Sequence, residues 1–187
     1  MKSFPNQIPI FPLSGVIYFP KTNLPLNIFE QRYLDLVNDS IRKDKLMGMI
    51  QSKRKDKGLY KVGCLGKISD FQKSKDGRIL INLTGIARFQ VLEEVKNSKL
   101  YREFKVGYEK FSLDLEPILE EINTESLMKK AEIFFKKSGL LLNWEKFNKI
   151  KKVQKINTLA MIAPITNEEK QKLLESISLK EKVKTLE

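Results

Sequence analysis

The hydrophobic period of this chain changes once, near positions 112–114, and that change dictates a fold in two parts. Before it, apolar residues alternate or cluster in short runs, as in half-buried or buried strands. After it, they recur at helical spacing. The expectation is an α+β chain. Residues 1–112 form a small, coiled, partly closed β-barrel with one inserted helix, and residues 113–187 form a compact helical bundle.

Prolines punctuate the beginning. Pro9, Pro12, Pro20 and Pro25 separate the apolar pieces Ile8-Pro9-Ile10-Phe11, Val16-Ile17-Tyr18-Phe19 and Leu24-Pro25-Leu26-Asn27-Ile28-Phe29. Proline donates no hydrogen bond, so these pieces are expected at sheet edges or bends. Tyr33, Leu36, Val37 and Ile41 share one helical face, which predicts a helix over 31–42 with Glu30 capping its start. A buried strand at 46–51, a basic loop around Lys53-Arg54-Lys55-Asp56-Lys57-Gly58 and a long strand at 59–72 follow. Gly63 and Gly66 inside that strand predict a bend or a close backbone approach. The Asp76-Gly77 turn leads into Ile79, Ile81 and Leu83, then Phe89 and Val91, and finally Phe104, Val106 and Tyr108.

In the second part, Pro117 is placed in the first turn of a helix that runs, with a break near Asn123, to Lys137. Leu127, Ala131, Phe134 and Phe135 give it an apolar stripe that reads as core, and Gly139 ends it. A second helical stretch covers 144 to about 161 and stops before Pro164. Thr166-Asn167-Glu168-Glu169 and Ser178-Leu179-Lys180-Glu181 are capping boxes for two more helices.

The chain has no histidine and one cysteine, Cys64. These absences exclude Ser-His-Asp and Cys-His sites, the usual zinc and non-haem iron ligand sets, and an internal disulfide. No apolar run approaches the ~20 residues of a membrane helix. Met1-Lys2-Ser3-Phe4-Pro5 is not followed by the apolar segment of a secretory signal, so a cytoplasmic location away from the membrane is expected. The formal charge is +12, but only six of the 35 basic residues are arginine. Readers of base edges favour arginine, so the lysine excess reads first as a solvated surface. Gly58-Leu59-Tyr60-Lys61-Val62-Gly63 begins like a phosphate loop. Cys64 and Leu65 then stand where lysine and a hydroxyl would reach phosphate and magnesium.

Three motifs in order carry a family resemblance. Ile10-Phe11-Pro12-Leu13-Ser14-Gly15, then Phe19-Pro20, then Pro25-Leu26-Asn27-Ile28-Phe29-Glu30-Gln31-Arg32-Tyr33 form the first. Val62-Gly63-Cys64-Leu65-Gly66-Lys67-Ile68 is the second and Gly85-Ile86-Ala87-Arg88-Phe89 the third. Together they resemble the N-terminal domain of Lon proteases. Asn27 and Gln31 depart from its common histidine and proline. Glu168-Glu169-Lys170-Gln171-Lys172-Leu173-Leu174-Glu175 resembles a helix of short stand-alone members.

The resemblance implies a PUA-like β pseudo-barrel packed on helices, without the ATPase and protease modules. It implies a non-catalytic, ATP-independent module for unfolded or exposed apolar protein segments, an adaptor to a protease or unfoldase, or a holdase. An RNA-binding PUA-like protein is the alternative, favoured if lysines gather near Phe71 or Tyr60. No cofactor and no catalytic residue is expected. Candidate binding residues are Glu30, Arg32, Tyr33 and Arg88. Each also has a structural reading: Glu30 and Arg32 as a buried or semi-buried clamp, Tyr33 as core, Arg88 as a structural ion pair. A groove between barrel and helices is the expected ligand site.

Overall fold

The computed structural model describes residues 4–53, 58–116 and 122–187. Positions 54–57 of the basic loop, and Pro117 with its expected helix start, lie outside the described residues.

Among the described residues, six strands form one sheet: β1 (Gln7–Leu13), β2 (Asn23–Ile28), β3 (Leu46–Ser52), β4 (Leu59–Lys73), β5 (Ile79–Val95) and β6 (Glu103–Gly107). Their order is β2-β5-β4-β3-β1-β6, and β5 also pairs with β6. That last pairing closes β5, β4, β3, β1 and β6 into a ring and leaves β2 outside it as an edge. Closure is possible because β4 and β5 are long and coil past register shifts at Leu65/Gly66 and Ile68/Asp70. The barrel is therefore more closed than its sequence suggests. β1 and β3 are parallel and need a crossover, which β2 and helix α1 (Gln31–Arg42) supply.

β1 corrects the proline argument. It belongs to the ring although it carries Pro9 and Pro12. Gln7–Pro9 pairs with β6, and Ile10–Leu13 pairs with β3. By changing partner midway, the strand needs only one ladder at each proline. Pro25 fits the expectation, since β2 pairs with β5 alone. The Val16–Phe19 piece is not a ladder strand, yet Ile17, Tyr18 and Phe19 are buried. Helix side chains bond the backbone on either side of this piece. Lys170 donates to the Gly15 carbonyl at 3.2 Å, Asn157 to Pro20 at 3.2 Å and Gln154 to Lys21 at 3.2 Å.

The glycines answer to close approach. A Cβ on Gly63 would stand 2.5 Å from the Met49 carbonyl oxygen and 2.6 Å from Phe89 Cζ. On Gly85 it would collide with the Phe19 carbonyl.

Among the described residues, five helices follow the barrel and a short 3-10 segment, Glu109–Asp114: α2 (Glu125–Lys137), α3 (Trp144–Lys149), α4 (Lys152–Ile162), α5 (Asn167–Glu175) and α6 (Leu179–Leu186). The stretch expected as one helix from 144 is two, broken where Ile150 and Lys151 turn extended. Thr166 caps α5 with a full capping box: its hydroxyl accepts from Glu169 N, and Glu169 accepts from Thr166 N. At α6, Ser178 accepts from Glu181 N, but Glu181 reaches back to Ile177 N.

Ile17, Phe19, Val62 and Phe111 share one apolar cluster with Ala160, Leu173 and Leu174. The junction between barrel and helices is thus packed where these side chains meet. A second cluster lies wholly within the helices, around Leu127, Phe135, Phe147, Ile156 and Leu159.

Candidate functional site

Two polar arrangements absorb the candidate residues. The first lies where β2 runs into α1. Ile28, buried, ends the strand, and Phe29 then points outward with 65% of its surface exposed. Glu30 is extended and stands at the N-cap position. Its carbonyl accepts from Tyr33 N at 2.9 Å and Leu34 N at 3.0 Å, but its carboxylate caps nothing. That carboxylate accepts instead from Arg32 Nε at 3.0 Å and Nη2 at 2.7 Å.

The expected buried or semi-buried clamp is corrected here. The Arg32 and Glu30 side chains are 54% and 45% exposed, because the pair sits on the outer face of the first helical turn. Their guanidinium and carboxylate remain open to solvent and to a ligand. Tyr33 follows the structural expectation: it is buried, with its ring centroid 4.4 Å from that of Phe11. The Arg32 guanidinium lies over the same ring, 4.7 Å from its centroid. Burial raises the Tyr33 phenol above its ordinary value, while Arg32 pulls it the other way. Arg32 is thus fixed from two sides, by Glu30 and by an aromatic face.

Beside this corner runs the outer edge of β2. Asn23, Pro25 and Asn27 are exposed, and Leu24 and Leu26 are half-buried. One side of the strand is bonded to β5 and the other is free of strands among the described residues. An extended chain laid there would find backbone partners and a half-buried leucine row, with Phe29 at its end.

The second arrangement holds Arg88, on β5 at the junction. Its side chain is 4% exposed. Nε donates to Asp114 Oδ2 at 2.9 Å and Nη2 to Asp114 Oδ1 at 2.8 Å. Nη1 donates to the carbonyls of Leu174, at 2.9 Å, and Ser176. The guanidinium also stacks on Phe111 at 4.4 Å. Every nitrogen is engaged within the chain, so Arg88 joins barrel to helices, and the arrangement leaves it no face for a ligand. Glu30, Arg32 and Tyr33 come together; Arg88 is not with them.

Lys182 of α6 lies in the same junction, 4% exposed, and escaped sequence reasoning. Its ammonium donates to Asn157 Oδ1 at 2.7 Å and lies 4.1 Å from the Phe19 ring centroid. Burial pushes its pKa down to about 7, reinforced by the Arg88 charge and opposed by Asp114. Lys180, Lys182 and Lys184 look alike in sequence, and only the packing of α6 singles one out.

Cys64 is fully buried, and burial pushes its thiol well above the ordinary range, where it is no nucleophile. Gly63 of the phosphate-loop near-match sits on β4 against β3 and β5, not before a helix. Among the described residues no group of three or more acidic or cysteine side chains is placed to hold a metal ion. No described helix is long and apolar enough to cross a membrane. Tyr60 and Phe71, the aromatics that lysines might join in an RNA site, are near opposite ends of β4, about 35 Å apart along the strand.

The helices carry an apolar groove of about 350 Å³ between α2, the α4–α5 connection and α6. Phe134, expected in the core with Phe135, is 47% exposed and lines it, while Phe135 is buried. The paired phenylalanines fall on adjacent faces of one helix, a distinction that the sequence stripe does not resolve.

Residues 7–186 match the family described as ATP-dependent protease La (LON) substrate-binding domain. The chain is 26% identical to the Lon protease of Syntrophus aciditrophicus over 97% of its own length and 24% of that protein's. It is 26% identical to the Lon protease of Bacillus thuringiensis over 96% and 23%. The chain thus spans about a quarter of the length of these relatives. Its fold is that of the Lon N-terminal domain protein from Xanthomonas campestris, with a TM-score of 0.70 at 22% identity and 96% of both chains covered. The N-terminal domain of Mycobacterium avium complex Lon protease superposes with a TM-score of 0.67 at 15% identity, covering 96% and 95%. With motifs, sheet topology and nearly full-length similarity in agreement, the chain belongs to the family of the Lon substrate-binding domain.

Proposed function

We propose that this chain is a non-catalytic module that binds extended, apolar segments of other proteins, and that it does so at the β2 edge and the Phe29 corner. The observation that carries this reading is the free edge of β2 ending in an exposed Phe29 beside the solvent-open Glu30–Arg32 pair. Strand addition supplies sequence-independent backbone bonds, as a binder of many unfolded clients needs, and Phe29 adds an apolar contact. Arg32, held over Tyr33 and by Glu30, offers a positioned donor to a peptide carbonyl or carboxylate. The family supports substrate recognition as the general role. An adaptor that hands segments to a protease or unfoldase, and a holdase that retains them, are the two forms of this reading.

Because the bound segment is ordered on binding, affinity falls in the micromolar range or weaker. The test is titration of a labelled, permanently unfolded model protein into the wild type, Phe29→Ser and Arg32→Ala. Weakened binding by both variants at unchanged melting temperature supports the site. No binding by folded wild type at high micromolar concentration refutes the function. Wild-type binding that neither variant weakens refutes the location.

A further inference from the structure

β2 meets β5 in unbroken antiparallel register, from Asn23 opposite Thr84 to Ile28 opposite Ile79. Just before it, Gly85 N donates to the Thr22 carbonyl at 2.9 Å. That bond fixes the phase of the ladder. Leu24, Leu26 and Ile28 exchange backbone bonds with β5, while Asn23, Pro25 and Asn27 turn their backbone groups to the free edge. Proline is admissible at position 25 for this reason: its nitrogen points away from β5.

The free edge is therefore not a uniform ladder. Asn23 and Asn27 each present an N–H and a carbonyl, and Pro25 between them presents a carbonyl only. Where an amide hydrogen would stand, the proline ring projects into the path of an added strand. An acceptor at the usual ladder distance of about 2.9 Å from that nitrogen collides with the ring. A strand added along β2 must step away at its middle residue, in a bulge, and pair on either side. An unfolded segment has the freedom to do so. A strand already bonded to a neighbour is held to regular spacing, and the β2 edge of a second copy is such a strand. In full antiparallel overlap the two prolines face each other. Both carbonyls then lack a donor, and each ring points at the other strand's carbonyl.

We propose that Pro25 is the specificity determinant of this edge: it admits unfolded segments, which bulge around it, and turns away preformed strands, the β2 edge of a second copy included. This rests on the β2-edge reading and narrows its substrate class to unfolded chain, as against the edge of a folded sheet. An unpaired edge is otherwise a template for association with any exposed strand. The proline lets the chain keep such an edge open without pairing to itself.

The experiment compares the full chain with Pro25→Val and Asn27→Pro. Pro25→Val supplies the missing N–H, removes the ring and breaks no bond to β5; Asn27→Pro removes an outward donor at the same phase. Circular dichroism verifies that each variant is folded. Two fluorescein-labelled probes are read by anisotropy. One is a linear peptide of about eight residues alternating leucine and threonine, and the other holds the same residues as one strand of a cyclic hairpin. The wild type is expected to bind the linear peptide in the micromolar range and the hairpin at least about tenfold more weakly, although preorganisation alone favours the hairpin. Pro25→Val binds the two within about threefold and, unlike the wild type, dimerises in sedimentation. Asn27→Pro weakens the linear peptide about tenfold. Equal wild-type affinity for both probes overturns the proposal, as does a folded Pro25→Val that keeps the wild-type ratio or stays monomeric. If the wild type binds neither probe, or Asn27→Pro changes nothing, the β2-edge reading fails by itself. Sedimentation then decides for Pro25: a dimer of Pro25→Val upholds its exclusion of a second copy, and a monomer overturns it.

Discussion

Replacing Arg88 by alanine removes a side chain that bridges the barrel and two of its covering helices. The wild-type guanidinium satisfies Asp114 through two nitrogens at 2.8–2.9 Å and caps the carbonyls of Leu174 and Ser176. In Arg88→Ala the Asp114 carboxylate, 11% exposed, keeps only the Arg88 backbone N–H at 2.9 Å. Breaking one member of a buried pair costs about 3–5 kcal/mol, and each stranded carbonyl about 1–3 kcal/mol. These terms share one site and do not add, so about 4 kcal/mol is the expectation. With a urea slope of roughly 2 kcal/mol per molar, the unfolding midpoint falls by about 2 M. Arg32→Ala is the matched control. It breaks an equally short pair, 2.7 Å, on the surface, where such pairs contribute about 0.2–1 kcal/mol, so its midpoint moves by less than about 0.5 M. Two further variants separate charge from packing. Arg88→Lys does not rescue, because an ammonium cannot span a carboxylate and two carbonyls. Arg88→Met/Asp114→Leu regains most of the loss, because no unpaired charge remains. Equal midpoints for Arg88→Ala and Arg32→Ala would refute the assignment of the junction's strength to this ion pair.

Lys182→Met tests the buried lysine by pH. The folded-state pKa near 7 lies below the ordinary 10.5, so between those values the unfolded chain binds the extra proton and stability rises with pH. The difference in unfolding free energy between wild type and Lys182→Met should therefore change from pH 6 to pH 10 in favour of wild type, by as much as roughly 4 kcal/mol, and a constant difference contradicts it. Gly63→Ala drives a methyl into the Met49 carbonyl and Phe89, and is expected to cost more than about 3 kcal/mol in thermal melts. Gly77→Ala, at φ +87° in an open turn, has only backbone strain to overcome and should lose about 1–2 kcal/mol. If Gly77→Ala proves the more damaging, close packing is not what Gly63 serves.

The division into barrel and helices was legible because it depends on period, which one sequence contains in full. Helix 31–42 was readable to the residue, since four apolar positions define its face and Arg42 ends it. Ring closure was not, because it depends on β6 meeting both β1 and β5, a pairing between distant segments that leaves no local trace. The failure at β1 has one cause: it was judged by what proline forbids, whereas the chain satisfies its backbone groups with partners remote in sequence, β6 for the first half and β3 for the second.

The candidate residues divide on the same ground. Glu30 and Arg32 are neighbours in sequence, so their pairing was foreseeable. Their burial was not, because it depends on what covers the first turn of α1, and nothing described does so. Arg88 was judged as an isolated motif residue. Its partner Asp114 is 26 positions away at the point where the period changes, and its carbonyl acceptors are 86 and 88 positions away. The consequence is an inversion. The arginine in the motif that looked structural is open to a ligand, and the arginine that joins the two parts of the chain is sealed inside. A motif identifies which side chains a fold retains; the solvent on each one decides whether it is retained to bind or to hold. By that criterion Phe29 and Arg32 face outward, and Arg88 and Lys182 keep the surfaces that carry them in place.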